Sequence, residues 1–301
     1  MGLPVTVCRK LMGSPFQIST YDTRIKGVPA LLAAALAEVA RVEDLLTDFR
    51  DSPLNRINDL AGIEPVQVPA ELFTLIEFAQ DISRDSNGAF DISYAAVGRL
   101  WRKAFASGIP PSGAEISAAR QFIDYRRIKL YRESRAVFLP DHRMRIGLGG
   151  IGKGYAVDRA YKLLRTMGLQ NFVVNGAGDI RVHSAVNAVR PWNIGVRNPL
   201  AQANVAAGLV RIANGAVATS GDYERFMMYQ GKKYHHIIDA RSAEIRDDIA
   251  SVTIMGPTTL MTDVSATCVM SLGLKEGLAF LQRQRDLKGF LVTPAGQVLQ
   301  S

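Results

Sequence analysis

Cysteine is nearly absent: the 301-residue chain has only Cys8 and Cys268, with no CxxC pair and no metal-like spacing. That excludes a disulfide framework and a zinc cluster, and both thiols are expected to be inert packing groups. Long apolar runs are missing too. The most apolar stretch, "VPALLAAALAEVA" from Val28, is broken by Glu38 and followed by Arg41, Glu43 and Asp44. It reads as an amphipathic or buried helix, with no transmembrane segment expected. The first residues, "MGLPVTVCRKLMG", hold no apolar segment ahead of a small-residue cleavage site. The expected location is cytoplasmic, or periplasmic and inner-membrane associated where an export signal lies outside this sequence. Acidic residues are fewer than basic ones, 28 against 36, for a net charge of +8. The Lys and Arg are scattered singly or in pairs and are not interleaved with a run of aromatics, so no nucleic-acid partner is expected. What remains is a chain 48% hydrophobic and 21% charged. That is the balance of a well-packed soluble protein with one large domain or two ordinary ones.

Punctuation is strongest at "SGIPPSGAE", around Pro110 and Pro111. Ser112 and Glu115 there fit a capping box opening the helix "AEISAARQFIDY". Before it lie a strand, "FQISTYD", a long helix from about Pro29 to Phe49, and the helix "ELFTLIEFAQDISRDS". After it the chain turns strand-rich, from "RIKLYR" and "AVFLP" through "NFVVN", "DIRVHS", "PWNIGVRN" and "GAVATS" to "IASVTIMG" and "GFLVT". In "MMYQGKKYHH" Gly231 marks a tight hairpin turn. The expected fold is α/β of the α+β type: mixed, largely antiparallel sheets with flanking helices. It is not a doubly wound Rossmann fold, because regular strand–helix alternation is absent.

The stretch "GLGGIGKG", Gly147 to Gly154, fits two nucleotide-binding signatures incompletely. Gly147, Gly149 and Gly152 satisfy GxGxxG, and "YAVDRAYKLLRTMG" follows as a helix with Ala156, Ala160, Leu163, Leu164 and Met167 on one face and Gly168 as a stop. A strand, a glycine turn and a helix are therefore expected, but the next strand ends in Asn175 where a Rossmann unit wants an acid. The GxxxxGK[ST] template is met by Gly147, Gly152 and Lys153, and fails at Gly154, which has no hydroxyl for Mg²⁺. Two readings survive: a phosphate cradle of backbone N–H groups and Lys153 at a helix N-terminus, or glycines that merely let the helix pack closely.

In "TDVSAT", Asp263 and Thr267 lie four apart at the expected start of a helix, so a carboxylate and a hydroxyl project from one face. They read either as hard oxygen ligands for Mg²⁺ or as helix caps. In "KYHHIIDARS", His235 and His236 stand on an alternating strand and face opposite sides, so one can point into a cleft. Asp239 follows, and "ATSGDYER" offers Thr219, Ser220, Asp222 and Glu224 in a turn just before.

Taken in order, "LMGSPF", "LTDFRDSPLNRIN", "NGAFDIS", "GLGGIGKGYAVD", "VNGAGDIRV", "TSGDYERF", "YHHIIDARS" and "TDVSAT" resemble the ApbE family of flavin transferases over nearly the whole chain. The resemblance implies one ApbE-type domain over residues 1–301, possibly in two lobes with a break near residue 110. It implies a Mg²⁺-dependent enzyme that splits FAD, moves FMN to a Thr or Ser hydroxyl of an acceptor flavoprotein subunit, and releases AMP. Carried over, the metal is held by the Gly150 carbonyl and the side chains of Asp263 and Thr267. FAD contacts fall at Met12, Phe49, Ala89, Phe90, Asp91, Gly147 and Lys153, and His236 is the catalytic base. Three positions depart from the family pattern: Gly147 replaces Asp or Ser, Phe49 replaces Tyr, and Asp239-Ala240 replaces Asp-Pro. Alternatives carried alongside are an FAD pyrophosphatase giving FMN and AMP, a non-catalytic FAD-binding protein, and an NAD-dependent oxidoreductase resting on GxGxxG alone.

Overall fold

A computed structural model describes residues 3–201 and 205–301; Met1 and Gly2, part of the stretch read for an export signal, lie outside the described residues. The chain opens with a hairpin of β1 (Val5–Leu11) and β2 (Ser14–Thr20), paired from Val5↔Thr20 to Leu11↔Ser14. Its two-residue turn, Met12-Gly13, has positive φ at both positions, 51° and 74°, as a twist-compatible hairpin turn requires. Helices α1 (Val28–Leu46) and α2 (Pro53–Asp59) follow, each with proline in its first turn, where a missing N–H costs nothing. Then come β3 (Val66–Gln67), α3 (Ala70–Asp85), α4 (Ala95–Ser107) and α5 (Gly113–Arg120). The Ser112–Glu115 capping box is present, but α5 stops at Arg120, and Tyr125 belongs to a separate 3₁₀ turn. Strands β4 (Lys129–Tyr131) and β5 (Ala136–Phe138) complete a small sheet with β3.

Next is α6 (Gly152–Thr166), then the hairpin β6 (Phe172–Gly176) and β7 (Asp179–His183). A separate hairpin, β8 (Trp192–Arg197) with β9 (Ala206–Ile212), precedes β10 (Gly215–Gly221). Strands β11 (Phe226–Tyr229) and β12 (Lys232–His235) form the expected tight hairpin, with Gln230 and Gly231 at φ 48° and 77°. The chain ends with β13 (Ser251–Gly256), α7 (Thr259–Leu272), α8 (Leu274–Arg283), β14 (Lys288–Val292) and β15 (Val298–Gln300).

The central sheet has the order β1-β2-β6-β7-β10-β13-β14-β15, and every neighbouring pair is antiparallel. Helices α1, α6 and α7 pack side by side across it, over β1 and β2, β6 and β7, and β10 and β13 respectively. The core between them is apolar and closed: Phe16, Ile18, Phe172 and Val174 from the sheet meet Leu32, Val39, Ala156, Ala160 and Val264. Burying such side chains contributes about 1.5–3 kcal/mol each. Among the described residues no helix is long and apolar enough to cross a membrane.

Several local expectations are corrected. No strand precedes the glycine loop; residues 144–148 are irregular. Ile146 finds a side chain where a strand would find a neighbour: its N–H donates to Asn58 Oδ1 at 2.7 Å and its C=O accepts from Asn58 Nδ2 at 3.0 Å. The buried face of α6 is Ala156, Val157, Ala160 and Leu164, while Leu163 and Met167 are half-buried. Helix α1 ends at Leu46, so Phe49 stands beyond it and is 75% exposed. Cys268 is a buried packing thiol, whereas Cys8 is exposed on the edge strand β1.

Candidate active site

One end of the central sheet gathers the β1–β2 turn, the β6–β7 turn and the last residues of β10, because β2, β6, β7 and β10 alternate in direction. A cleft of about 990 Å³ opens there, lined by every residue assigned from the family resemblance and by Thr219, Ser220 and Glu224, while His235, Asp222 and Asp239 lie outside it, Asp239 paired with Arg241 and Arg246. The β1–β2 turn supplies Met12, the β6–β7 turn Ala177 and Gly178, and β10 Thr219 and Ser220.

Helix α7 contributes a stripe, Asp263, Thr267 and Ser271, one turn apart along the cleft. The helix begins at Thr259, a turn earlier than the sequence suggests, and its cap is Thr258, whose side chain accepts from Met261 N–H at 3.3 Å. Asp263 and Thr267 are therefore not caps of their own helix. Asp263 instead receives the Gly154 N–H at 2.9 Å, closing the first turn of α6, which has no side-chain cap of its own.

Close approach, not unusual backbone, explains Gly147, Gly150, Gly152 and Gly154. Gly147, Gly149, Gly150, Gly152 and Gly154 all avoid the left-handed region. A Cβ on Gly154 would lie 2.6 Å from the Thr259 carbonyl oxygen and 2.8 Å from Asp263 Cβ. On Gly150 it would lie 3.1 Å from the Phe90 ring and 3.4 Å from Thr267 Cγ2, and on Gly152 3.3 Å from Met12 Cε. The loop thus seats α6 against α7 and brings Gly150 to Thr267.

Charge is concentrated at this end of the cleft. Lys153 Nζ donates to Asp179 Oδ2 at 2.7 Å. Burial works against the Lys153 charge, but Asp179, Asp263 and Glu224 outweigh it and hold its pKa above the ordinary lysine value. Burial pushes Asp179 up despite Lys153, and pushes Asp263 well up, with Asp179 adding repulsion. Burial likewise raises Glu224 to about 6. Three carboxylates therefore share one ammonium, an arrangement short of positive charge. Among the described residues no three His, Cys, Asp or Glu side chains converge as a metal cage. The oxygen set at Asp263, Thr267 and Gly150 is the sparse, hard kind that suits Mg²⁺ alongside substrate phosphates.

His235 and His236 part as expected, although β12 ends at His235. His235 is buried and its Nε2 meets the Arg246 carbonyl at 2.7 Å. His236 lines the cleft, with Nδ1 3.2 Å from the Arg225 carbonyl. A carbonyl only accepts, so Nδ1 carries the proton and Nε2 keeps its lone pair. Burial lowers the His236 pKa to about 4, so the ring is neutral at pH 7.

The cleft is also lined by aromatic side chains, Phe49, Phe90, Tyr94, Trp101 and Phe105, with Phe90 and Tyr94 against the glycine loop. Phe49 lies under the Arg102 guanidinium, 4.7 Å from its ring centroid, and Arg102 is fixed by Asp48 at 2.7 Å. Ala89 is held by its carbonyl, which accepts from Ala240 N–H at 3.1 Å. Asp91 reaches the cleft wall, yet its carboxylate is committed to the fold: it accepts from Ser93 N–H, Ser93 Oγ and Tyr125 N–H, each at 2.7 Å. Gly147 leaves 3.4 Å between a would-be Cβ and Asp48 Oδ2, so a carboxylate from a neighbouring element occupies the space beside it.

Sequence reasoning did not single out Asp179, Tyr94 or Arg102. The signal for Asp179 was available: "NGAG" is a hairpin turn, with Ala177 and Gly178 at φ 56° and 104°, and the residue after it begins the next strand at the cleft. Asp222 leaves the site, pairing with Lys233 at 2.8 Å.

Fold and cleft define a mixed α/β protein with a carboxylate-rich, aromatic-walled cleft at one end of an antiparallel sheet. The chain belongs to the ApbE family, whose model matches residues 12–291. A curated relative from Klebsiella pneumoniae, named FAD:protein FMN transferase, is 32% identical over 293 residues, covering 97% of this chain and 90% of the relative. The ApbE protein of Thermotoga maritima superposes with a TM-score of 0.90 at 26% identity, over 99% of this chain and 97% of that one. The flavinyl transferase ApbE of Pseudomonas stutzeri superposes with a TM-score of 0.83 at 25% identity, over 99% and 94%.

Proposed function

We propose that this chain transfers FMN from FAD to a Thr or Ser hydroxyl of an acceptor flavoprotein subunit, with Mg²⁺, releasing AMP. The observation that carries the reading is the convergence of a carboxylate cluster, a neutral histidine and aromatic side chains in one cleft. Asp263, Thr267 and the Gly150 carbonyl would hold Mg²⁺, which when bound supplies positive charge to the FAD pyrophosphate. Lys153, already paired with Asp179, adds positive charge on the same side. Met12, Phe49, Ala89, Phe90, Asp91 and Gly147 form the walls against which FAD lies. Among them Asp91 acts by shaping the backbone, since its own oxygens are already hydrogen-bonded.

In the reaction, the acceptor hydroxyl oxygen bonds to the phosphorus of the FMN half, and the bond from that phosphorus to the AMP oxygen breaks. The hydroxyl proton passes to Nε2 of His236, which Arg225 holds in the right tautomer. AMP departs with the electron pair of the broken bond. Incubation with FAD and Mg²⁺, with and without an acceptor peptide, tests the reading through AMP release. Release that needs both Mg²⁺ and peptide supports transfer. Release independent of peptide marks a pyrophosphatase, and no release with FAD bound marks a non-catalytic binder.

A further inference from the structure

Tyr94 is a polar side chain that the proposed chemistry leaves unused. It closes the 3₁₀ turn Ile92–Tyr94 at the start of α4 and lines the cleft opposite the glycine loop. Its hydroxyl would stand 3.6 Å from a Cβ on Gly149, so it sits directly over the loop's backbone. Among the described residues that hydroxyl has no hydrogen-bond partner. Burial, then the negative charge of Asp48, holds the phenol above its ordinary pKa, so at neutral pH it is an intact O–H donor. A second donor nearby is also unmet: Trp101 lines the same cleft, and its buried indole N–H has no partner.

The ring is placed by its neighbour one turn on. A Cβ on Gly98 would lie 2.9 Å from Cε2 and 3.3 Å from Cδ2 of Tyr94. Glycine within a helix costs about 1 kcal/mol against alanine. Here it leaves the space that the phenol ring fills. A donor left without a partner beside a ligand-sized cleft is the arrangement expected of a group whose partner arrives with the ligand.

We propose that Tyr94 is a substrate-contacting, specificity-determining residue whose hydroxyl donates to an acceptor atom on the edge of a heteroaromatic ring of the bound dinucleotide. This rests on the reading of the cleft as an FAD site. Both the isoalloxazine, with its carbonyls and ring nitrogens, and adenine, with its ring nitrogens, offer such acceptors, and Phe49 and Phe90 supply flat apolar surface in the same cleft.

The test measures binding of FAD, FMN and AMP separately to the full chain in the presence of Mg²⁺, for wild type, Tyr94→Phe and Gly98→Ala. Tyr94→Phe keeps the ring and loses only the hydroxyl. It should raise the Kd for FAD about 3- to 10-fold, the worth of one neutral hydrogen bond. The half-molecule whose Kd rises by the same factor, FMN or AMP, names the ring that is read. Gly98→Ala displaces the Tyr94 ring, so it should weaken the same ligand. Wild-type affinity of Tyr94→Phe for all three ligands would overturn the inference while leaving the FAD reading intact. A wild-type protein that fails to bind FAD overturns that reading and this inference together.

Discussion

Lys153 and Asp179 form a hydrogen-bonded ion pair, 2.7 Å apart, in which the carboxylate is almost fully buried and the ammonium is a quarter exposed. Two elements meet through it: Lys153 lies in the first turn of α6, and Asp179 is the first residue of β7. The pair is not self-contained, because Asp263 and Glu224 also act on Lys153.

Lys153→Met should therefore destabilise the protein by about 2–4 kcal/mol at pH 8, since it strands carboxylates without their cation. The deficit should shrink as pH falls toward 5. Asp179 and Glu224 already have folded pKa values above their ordinary ones, so the folded state binds more protons than the unfolded chain and gains stability as pH drops through that window. Urea unfolding at pH 8 and pH 5 measures this; an equal deficit at both values would contradict it.

Gly154→Ala places a methyl group 2.6 Å from the Thr259 carbonyl oxygen and 2.8 Å from Asp263 Cβ. Both neighbours belong to α7, so the two helices must separate. The expected cost is about 1–3 kcal/mol of stability, read as a lower urea midpoint, together with loss of AMP release, because Asp263 moves with its helix. Gly149→Ala is the matched control for stability alone: its Cβ would meet only the Tyr94 hydroxyl, at an ordinary contact distance of 3.6 Å, so the urea midpoint should stay at the wild-type value.

His236 should titrate with a midpoint near 4, against an ordinary 6.5, because burial penalises its charged form. Between those values the unfolded chain binds the proton and the folded one does not, so this residue's share of stability is present above pH 6.5 and is lost as pH falls toward 4. Proton NMR of the histidine ring follows the titration, and His236→Gln identifies the resonance among the four histidines of the chain. A midpoint at 6.5 would contradict the buried placement. His236→Gln should also lose transfer by about 10²–10⁴-fold, the usual worth of a general base, with FAD affinity retained.

Local chemistry made parts of the fold legible and left others hidden. The Ser112–Glu115 capping box, the Gln230-Gly231 turn, the polar–apolar alternation of β7 and the short apolar runs of β6 and β13 carry their own signals. Strand β1 does not: as an edge strand it is exposed along most of its length, so its pattern lacks clean alternation. Helix α4 was obscured by Gly98 within its buried stripe of Val97, Trp101 and Ala104, a glycine whose reason is the Tyr94 ring. The segment before the loop reads as a strand because the GxGxxG template calls for one, whereas Ile146 is bonded by an Asn58 side chain 88 positions away.

At the site, the residues assigned through motif order line one cleft, but their partners were not legible. Lys153 looked like a free phosphate ligand, and only the tertiary structure shows Asp179 against it. Asp91 looked like a ligand contact, whereas its carboxylate pins Ser93 and Tyr125. Such pairings join residues 26 or 34 positions apart, beyond the reach of helical or strand periodicity.

The most direct test of the account is the mass of an acceptor peptide bearing a single Thr hydroxyl after incubation with the protein, FAD and Mg²⁺, with AMP quantified in the same sample. The account predicts one FMN attached through that hydroxyl for each AMP released, and no adduct when the Thr is replaced by Val. AMP formed in excess with the peptide mass unchanged would contradict transfer.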